Sequence, residues 1–265
     1  MMKYLLIVLL IVVLTGCQSG NEGEETRIIF LHHSTGSAIW RGKTNRYVYK
    51  VTGKGDVEKY FSKYNGKHRT NYLISHQTFP QKEPYGWNNF PYDYYNIWVK
   101  NAGNTSYMGE PTLEMLTKSY DVIIFKHCYP VGDILGDTGM PDIDSDEKRV
   151  ENYKVQYDAL KEKMHEFTDN KFILWTPAAL VRGSTTEERA ARTQQFYEWI
   201  IKEWDEGGDN IYLWDFYQYE TEGDLYLRDE YASGEDDSHP NREFSGKTAP
   251  LFGQFIIDCI EGNVQ

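Results

Sequence analysis

Ile28-Ile29-Phe30-Leu31-His32-His33-Ser34-Thr35-Gly36 is the stretch on which the fold turns. Arg27 to His32 is a short apolar, β-prone run that ends in polar, turn-forming residues, the pattern of a strand buried on both faces of a parallel sheet. Runs of the same kind follow at Tyr95 to Val99, Asp121 to Lys126, Lys171 to Thr176 and Asn210 to Asp215. Between them lie helical patterns. Val150, Tyr153, Tyr157, Leu160, Met164 and Phe167 recur at three- and four-residue steps, as do Thr193, Phe196, Ile200 and Trp204, so each set makes one buried stripe. Ser184 and Thr185, placed ahead of Glu187 and Glu188, give capping-box starts for the second of these helices. A last helix carries Phe252, Phe255, Ile256, Cys259 and Ile260. Strands alternating with helices predict an α/β domain with a central parallel sheet and crossover helices. The stretch from Trp40 to Asn96 breaks this rhythm. It is rich in Tyr, Asn, Gly, Lys and Pro, with one helical pattern near Asp56 to Tyr64, and reads as a long insertion after the first strand-helix unit.

The chain has 265 residues, 40% hydrophobic and 26% charged, enough to bury a core. Its 40 Asp and Glu against 28 Lys and Arg give a net charge of -12, which argues against nucleic acid as a partner. Met1-Met2-Lys3, the apolar run Tyr4 to Leu14 and the small residues after it read as a secretory signal over residues 1–16, too short to span a bilayer. Leu14-Thr15-Gly16-Cys17 resembles the bacterial lipobox, which implies cleavage before Cys17, lipidation of Cys17, and a domain held at the cell envelope, periplasmic or extracellular. In that pattern Gln18 is compatible with an outer membrane where the cell has one. Residues 17–26 read as a solvated tether, and residues 27–265 as one domain. After Cys17 only Cys128 and Cys259 remain, so a disulfide framework is not in play, and a single bridge between them stays open.

Two segments carry candidate chemistry. Ser34 stands at the carboxyl end of the first strand, where an open α/β sheet exposes reactive groups. A serine hydroxyl needs a base, and Glu235-Asp236-Asp237-Ser238-His239-Pro240-Asn241 supplies His239 with Asp236 three residues earlier to orient it. An early Ser after the first strand and a late Asp-x-x-His before the last helix resemble the SGNH hydrolases, the GDSL-type esterases. Asn101-Ala102-Gly103-Asn104-Thr105, followed by a helix and Asp121 to Phe125, is similar to that family's second block and third strand. The resemblance implies a flavodoxin-like three-layer α/β/α sandwich, a catalytic set of Ser34, Asp236 and His239, and oxyanion donors in the backbone N–H groups of Ser34 and Gly103. It implies no cofactor.

The chain departs from the family at His32-His33, where Gly-Asp is usual, and at Lys126-His127-Cys128-Tyr129-Pro130, where Gly-x-Asn-Asp is usual. The side-chain oxyanion donor is therefore open among His127, Asn101 and Asn104, with His33 and Cys128 as further pocket residues. The expected activity is that of a serine esterase removing O-acyl groups, O-acetyl above all, from a carbohydrate or cell-envelope substrate. Two alternatives stand beside it: a polysaccharide O-acyltransferase, and a non-catalytic glycan-binding lipoprotein. A zinc site built from His32, His33, His127, His239 and Asp236 is disfavoured by the lack of close ligand spacing. His68, His76 and His165 read as surface or helix histidines.

Overall fold

The structure is a computed structural model that describes residues 23–264. The signal-peptide reading of residues 1–16 and the lipidation of Cys17 lie outside the described residues. In chain order the elements are β1 (Glu25–His32), α1 (Ser34–Arg41), α2 (Arg46–Thr52), α3 (Asp56–His68), β2 (Asn71–Thr78), α4 (Pro91–Tyr95), α5 (Leu113–Leu116) and β3 (Val122–Phe125). They continue with α6 (Val150–His165), β4 (Lys171–Trp175), α7 (Glu187–Trp199), β5 (Ile211–Trp214), α8 (Phe216–Thr221), β6 (Ala232–Gly234), β7 (Asp237–Pro240) and α9 (Arg242–Glu261).

Strands β1 to β5 form one sheet in the order β2-β1-β3-β4-β5, and every neighbouring pair in it is parallel. This is the doubly wound, flavodoxin-like order. Successive side chains of a strand point to opposite faces, and each face here has its own core. Ile29, Leu31, Ile123, Phe125, Phe172 and Leu174 join α4 and α6 on one side. Ile28, Phe30, Val122, Ile124, Ile173 and Trp175 join α1, α3 and α9 on the other. Both faces are covered, which is why these strands are apolar without alternation.

The expected strand at Tyr95 to Val99 is a helix. Pro91 opens α4, and Asp93 accepts the N–H groups of Asn88 and Phe90, so the chain enters helical geometry at Phe90. A π-helical turn, Asn96–Lys100, continues it and buries Ile97 and Trp98. The sheet's remaining strand is β2, inside the segment expected to be an insertion, where the helix near Asp56 also forms as α3. Folded structure begins at Glu25, two residues ahead of Arg27, and Gly23 N–H already bonds the Arg69 carbonyl. The cap of α7 is Thr186, which accepts Arg189 N–H, rather than Ser184 or Thr185. Cys128 and Cys259 are free thiols, so the open bridge is absent.

Candidate active site

Strand β1 delivers Ser34 to the carboxyl edge of the sheet as the first residue of α1. The turn is tight: a Cβ at Gly36 would stand 2.5 Å from the His32 side chain, so glycine is what lets α1 fold back over β1. The N-cap of α1, His33, makes no side-chain cap, and the first N–H groups of a helix have no intrahelical acceptor. The donors at Ser34 are thus turned outward at the positive end of the helix. Ser34 itself is exposed.

The late motif arrives on a separate two-stranded hairpin, β6 with β7, rather than in a loop. Helix α1 packs against both β7 and α9, bringing the two ends of the domain together. Strand geometry then decides which carboxylate serves His239. Residues two apart on a strand share a face, and Asp237 Oδ1 accepts from His239 Nδ1 at 2.5 Å and from His239 N at 3.0 Å. These bonds, the backbone N–H first, hold the Asp237 carboxyl below its usual range. Asp236 is turned the other way, against the segment Arg182–Ser184, where its carbonyl accepts from Ser184 Oγ. The expected Asp236–His239 partnership is corrected to Asp237. With Nδ1 donating to a carboxylate, His239 Nε2 is left as the basic nitrogen. The Tyr129 ring stands edge-on to the imidazole, centroids 4.9 Å apart.

Cys128, at the end of β3, closes the other side of Ser34. Ser34 lies against its sulfur and holds the thiol down, while burial, the larger effect, pushes it above its ordinary pKa. His33 Nε2 donates to the Pro80 carbonyl at 2.6 Å, fixing the ring on the loop after β2. The next residues toward the interior are polar and buried. Lys126 is 1% exposed and its Nζ has no hydrogen-bonding partner; burial draws it toward the neutral form, with Cys128 and Glu220 as its opposing charges. Glu220 is fully buried, bonds Ala179 N–H through one oxygen, and is pushed well up by burial.

Other expected pocket residues lie elsewhere. Gly103 N–H donates to Glu114 Oε2 at 3.1 Å, and Glu114 in turn pairs with Lys163 at the end of α6. Asn101 bonds Asn96, and Asn104 accepts from Lys118. All three sit ahead of β3, at the amino edge of the sheet, so Gly103 is not an oxyanion donor. His127 shares the face of Phe125 and is core: its ring meets Tyr94 edge-on at 4.7 Å, both nitrogens are unpaired, and burial drives its pKa to about 3.

A histidine chain that the sequence reading does not anticipate runs beside the site. His32 Nδ1 lies 2.9 Å from the His33 carbonyl, His32 Nε2 lies 2.9 Å from His76 Nδ1, and His76 Nε2 lies 3.2 Å from the Tyr49 hydroxyl. A carbonyl only accepts, so the chain has one consistent sense: Tyr49 donates to His76, His76 to His32, and His32 to His33. Burial lowers His32 to about 3, so it is neutral. His76 is therefore a half-buried residue turned to the sheet rather than a surface histidine; it stands opposite Phe30 in the β1–β2 register, diagonal to His32, and no sequence signal marks it. His68 stacks on Tyr64, and His165 pairs with Asp209. Among the described residues no group of three or more His, Cys, Asp or Glu side chains is gathered for a metal.

No protein-family model matches the chain, and no curated protein matches it. Solved structures do. A lipase/acylhydrolase from Enterococcus faecalis has 15% identity over 91% of this chain and 98% of its own, with a TM-score of 0.45. A carbohydrate esterase family 2 enzyme with a carbohydrate binding domain, from Corynascus thermopiles (Myceliophthora fergusii), has 13% identity over 90% of this chain and 68% of its own, at a TM-score of 0.42. A carbohydrate esterase described as having divergent catalytic and non-catalytic binding functions has 11% identity over 88% of this chain and 65% of its own, at 0.38.

Proposed function

We propose that this chain is a serine esterase of the SGNH type, with Ser34 as nucleophile, His239 as base and then acid, and Asp237 as the group that orients His239. The observation that supports this best is the packing of α1 against β7, since α1 opens with the exposed Ser34 and β7 carries an imidazole already held by a carboxylate. In this reading the Ser34 hydroxyl turns to His239 Nε2. His239 then takes the proton as Oγ adds to the ester carbonyl, and the developing oxyanion is met by the N–H groups at the start of α1. His239 returns the proton to the departing alcohol, and water releases the acyl group by the same steps.

The substrate in this reading is an O-acylated carbohydrate, O-acetyl above all. Support comes from Tyr129, whose ring stands edge-on to His239 and offers a flat apolar face and a hydroxyl beside the imidazole. The reading includes a lipid anchor at Cys17 and a cell-envelope location, tested by loss of acyl labelling in Cys17→Ser. One observation favours a glycan-binding protein without turnover: among the described residues no hydrogen bond joins the Ser34 hydroxyl to His239. A fluorophosphonate ester followed by peptide mass spectrometry separates the two. Label on Ser34 that is lost in His239→Ala supports the esterase. A folded protein that takes no label is a binding module.

A further inference from the structure

The acid excess of this chain is not shared by one part of it. Between Arg41 and Arg69 there are nine Lys or Arg against Asp56 and Glu58 alone, in a chain whose net charge is -12. That segment forms α2 and α3. Helix α2 buries no residue: Tyr47 is 79% exposed, Val51 86% and Val48 48%. At 100° per residue these three make one apolar stripe, with Arg46 and Lys50 on its flank. Tyr49, whose hydroxyl reaches His76, ties the helix to the sheet. Lys59, Lys63 and Lys67 follow at four-residue steps along α3, on exposed positions. Among the described residues Arg46, Lys50, Lys54, Lys63, Lys67 and Arg69 make no ion pair.

We propose that the α2–α3 face docks onto an anionic phospholipid bilayer, with lysines on the headgroup phosphates and the Tyr47, Val48 and Val51 stripe in the interfacial layer. The Ser34 reading plays no part in this inference. Three observations select a lipid surface. First, an apolar stripe flanked by basic residues is the pattern of an interfacial helix, and an acidic glycan offers nothing to two valines. Second, a groove of about 380 Å³ between α3 and α9 is lined by Tyr60, Lys63, Tyr64 and Lys67, a seat with two ammonium donors for a phosphate, the Tyr60 and Tyr64 hydroxyls being donated to Gln254 and Glu261. The carboxylate of Glu261 at that end is occupied by the hydroxyls of Tyr64 and Tyr72. Third, the chain leaves the described domain at Gly23, whose N–H is bonded to the Arg69 carbonyl at the end of α3. Cys17, the proposed lipid anchor, stands six residues before Gly23 in the sequence, so the anchored chain enters the described domain at the end of α3 that carries Lys67 and Arg69.

The test uses the full chain carrying Cys17→Ser, so that no acyl chain contributes. Val51→Cys is labelled with an environment-sensitive fluorophore, the native Cys128 and Cys259 being buried. Vesicles of mixed phosphatidylglycerol and phosphatidylcholine are compared with vesicles of phosphatidylcholine alone. Each basic side chain near such a surface is worth roughly fivefold in partitioning. Binding at least about tenfold tighter to the anionic vesicles is expected, weakening with salt, with a blue shift at position 51 and none for a label at Met140→Cys. Lys63→Glu with Lys67→Glu, both on exposed positions, should remove most of that preference while leaving fluorophosphonate labelling of Ser34 unchanged. Equal binding to both vesicle types, no shift at position 51 on bound protein, or no effect of the charge reversals would each overturn the proposal. Binding to a soluble acidic polysaccharide with no vesicle binding would overturn it as well, and would assign the face to a polyanion.

Discussion

Asp237 Oδ1 and His239 Nδ1 lie 2.5 Å apart because the two residues occupy alternate positions of one short strand, while Asp236 between Glu235 and Asp237 is directed at the Arg182–Ser184 segment. The carboxylate that faces the imidazole is chosen by the pleat of β7 and not by the distance along the chain.

Two asparagine substitutions separate these carboxylates. Asp237→Asn should lower kcat on p-nitrophenyl acetate by about a hundredfold or more, since an amide no longer holds the tautomer that leaves Nε2 basic. Asp236→Asn should leave kcat nearly unchanged. The reverse ranking in steady-state kinetics would return the role to Asp236.

Acid should unfold this domain through its interior histidines. His32 and His127 are both driven to about 3 from the 6.5 of a free imidazole. Because the folded values are depressed, the unfolded chain binds more protons between those limits. Stability is therefore full above 6.5 and falls as the pH drops, by up to about 1.4 kcal/mol per pH unit for each histidine. His127→Leu, which puts an apolar side chain among Tyr94, Phe125 and Tyr157, should flatten the fall in urea midpoint below neutrality. An unchanged slope would mean that His127 is accessible to protons in the folded state.

Lys126 and Glu220 should behave as a coupled buried pair. Each opposes the neutralisation of the other by burial, so Lys126→Met or Glu220→Gln alone should push the remaining group further toward its neutral form and lower stability. The double variant should cost clearly less than the two singles together, measured as a cycle by denaturant unfolding. Strict additivity would show that the two groups do not sense each other.

Cys128→Ala should raise the rate of fluorophosphonate labelling at Ser34 several-fold, because the sulfur that lies against Ser34 is gone. Loss of labelling in that variant would make Cys128 a support for the serine rather than a competitor for its proton.

The four strands buried on both faces are legible in the sequence, since the short continuous apolar runs at Arg27, Asp121, Lys171 and Asn210 suit a parallel strand covered by helices on both sides. Strand β2 is not. It lies at the sheet edge with no fully buried residue, and Ser75, His76, Gln77 and Thr78 give it no apolar signature. Tyr95 to Val99 has the β-branched and aromatic composition of a strand, yet Pro91 and the cap at Asp93 are the stronger local signals and carry the chain into a helix. The position of Gly103 follows from the same competition: a strand at Tyr95 would put the family's second block at Asn101, whereas the segment that follows the observed second strand is the Phe79 to Phe90 loop. Ser34 and His239 are legible because each stands next to an element boundary. Choosing between Asp236 and Asp237 requires knowing that residues 237–240 are a strand.

The separateness of the β6–β7 hairpin has a consequence for biogenesis. All five strands of the main sheet are present once Trp214 has been made, whereas His239 comes later, on a hairpin outside that sheet. A chain clipped after β5 carries every strand of that sheet and Ser34, but lacks both the proposed base and α9, which covers one face of the sheet. The final segment therefore closes the core and supplies the proposed base in one step, so a fragment lacking it should lose stability together with any chemistry at Ser34.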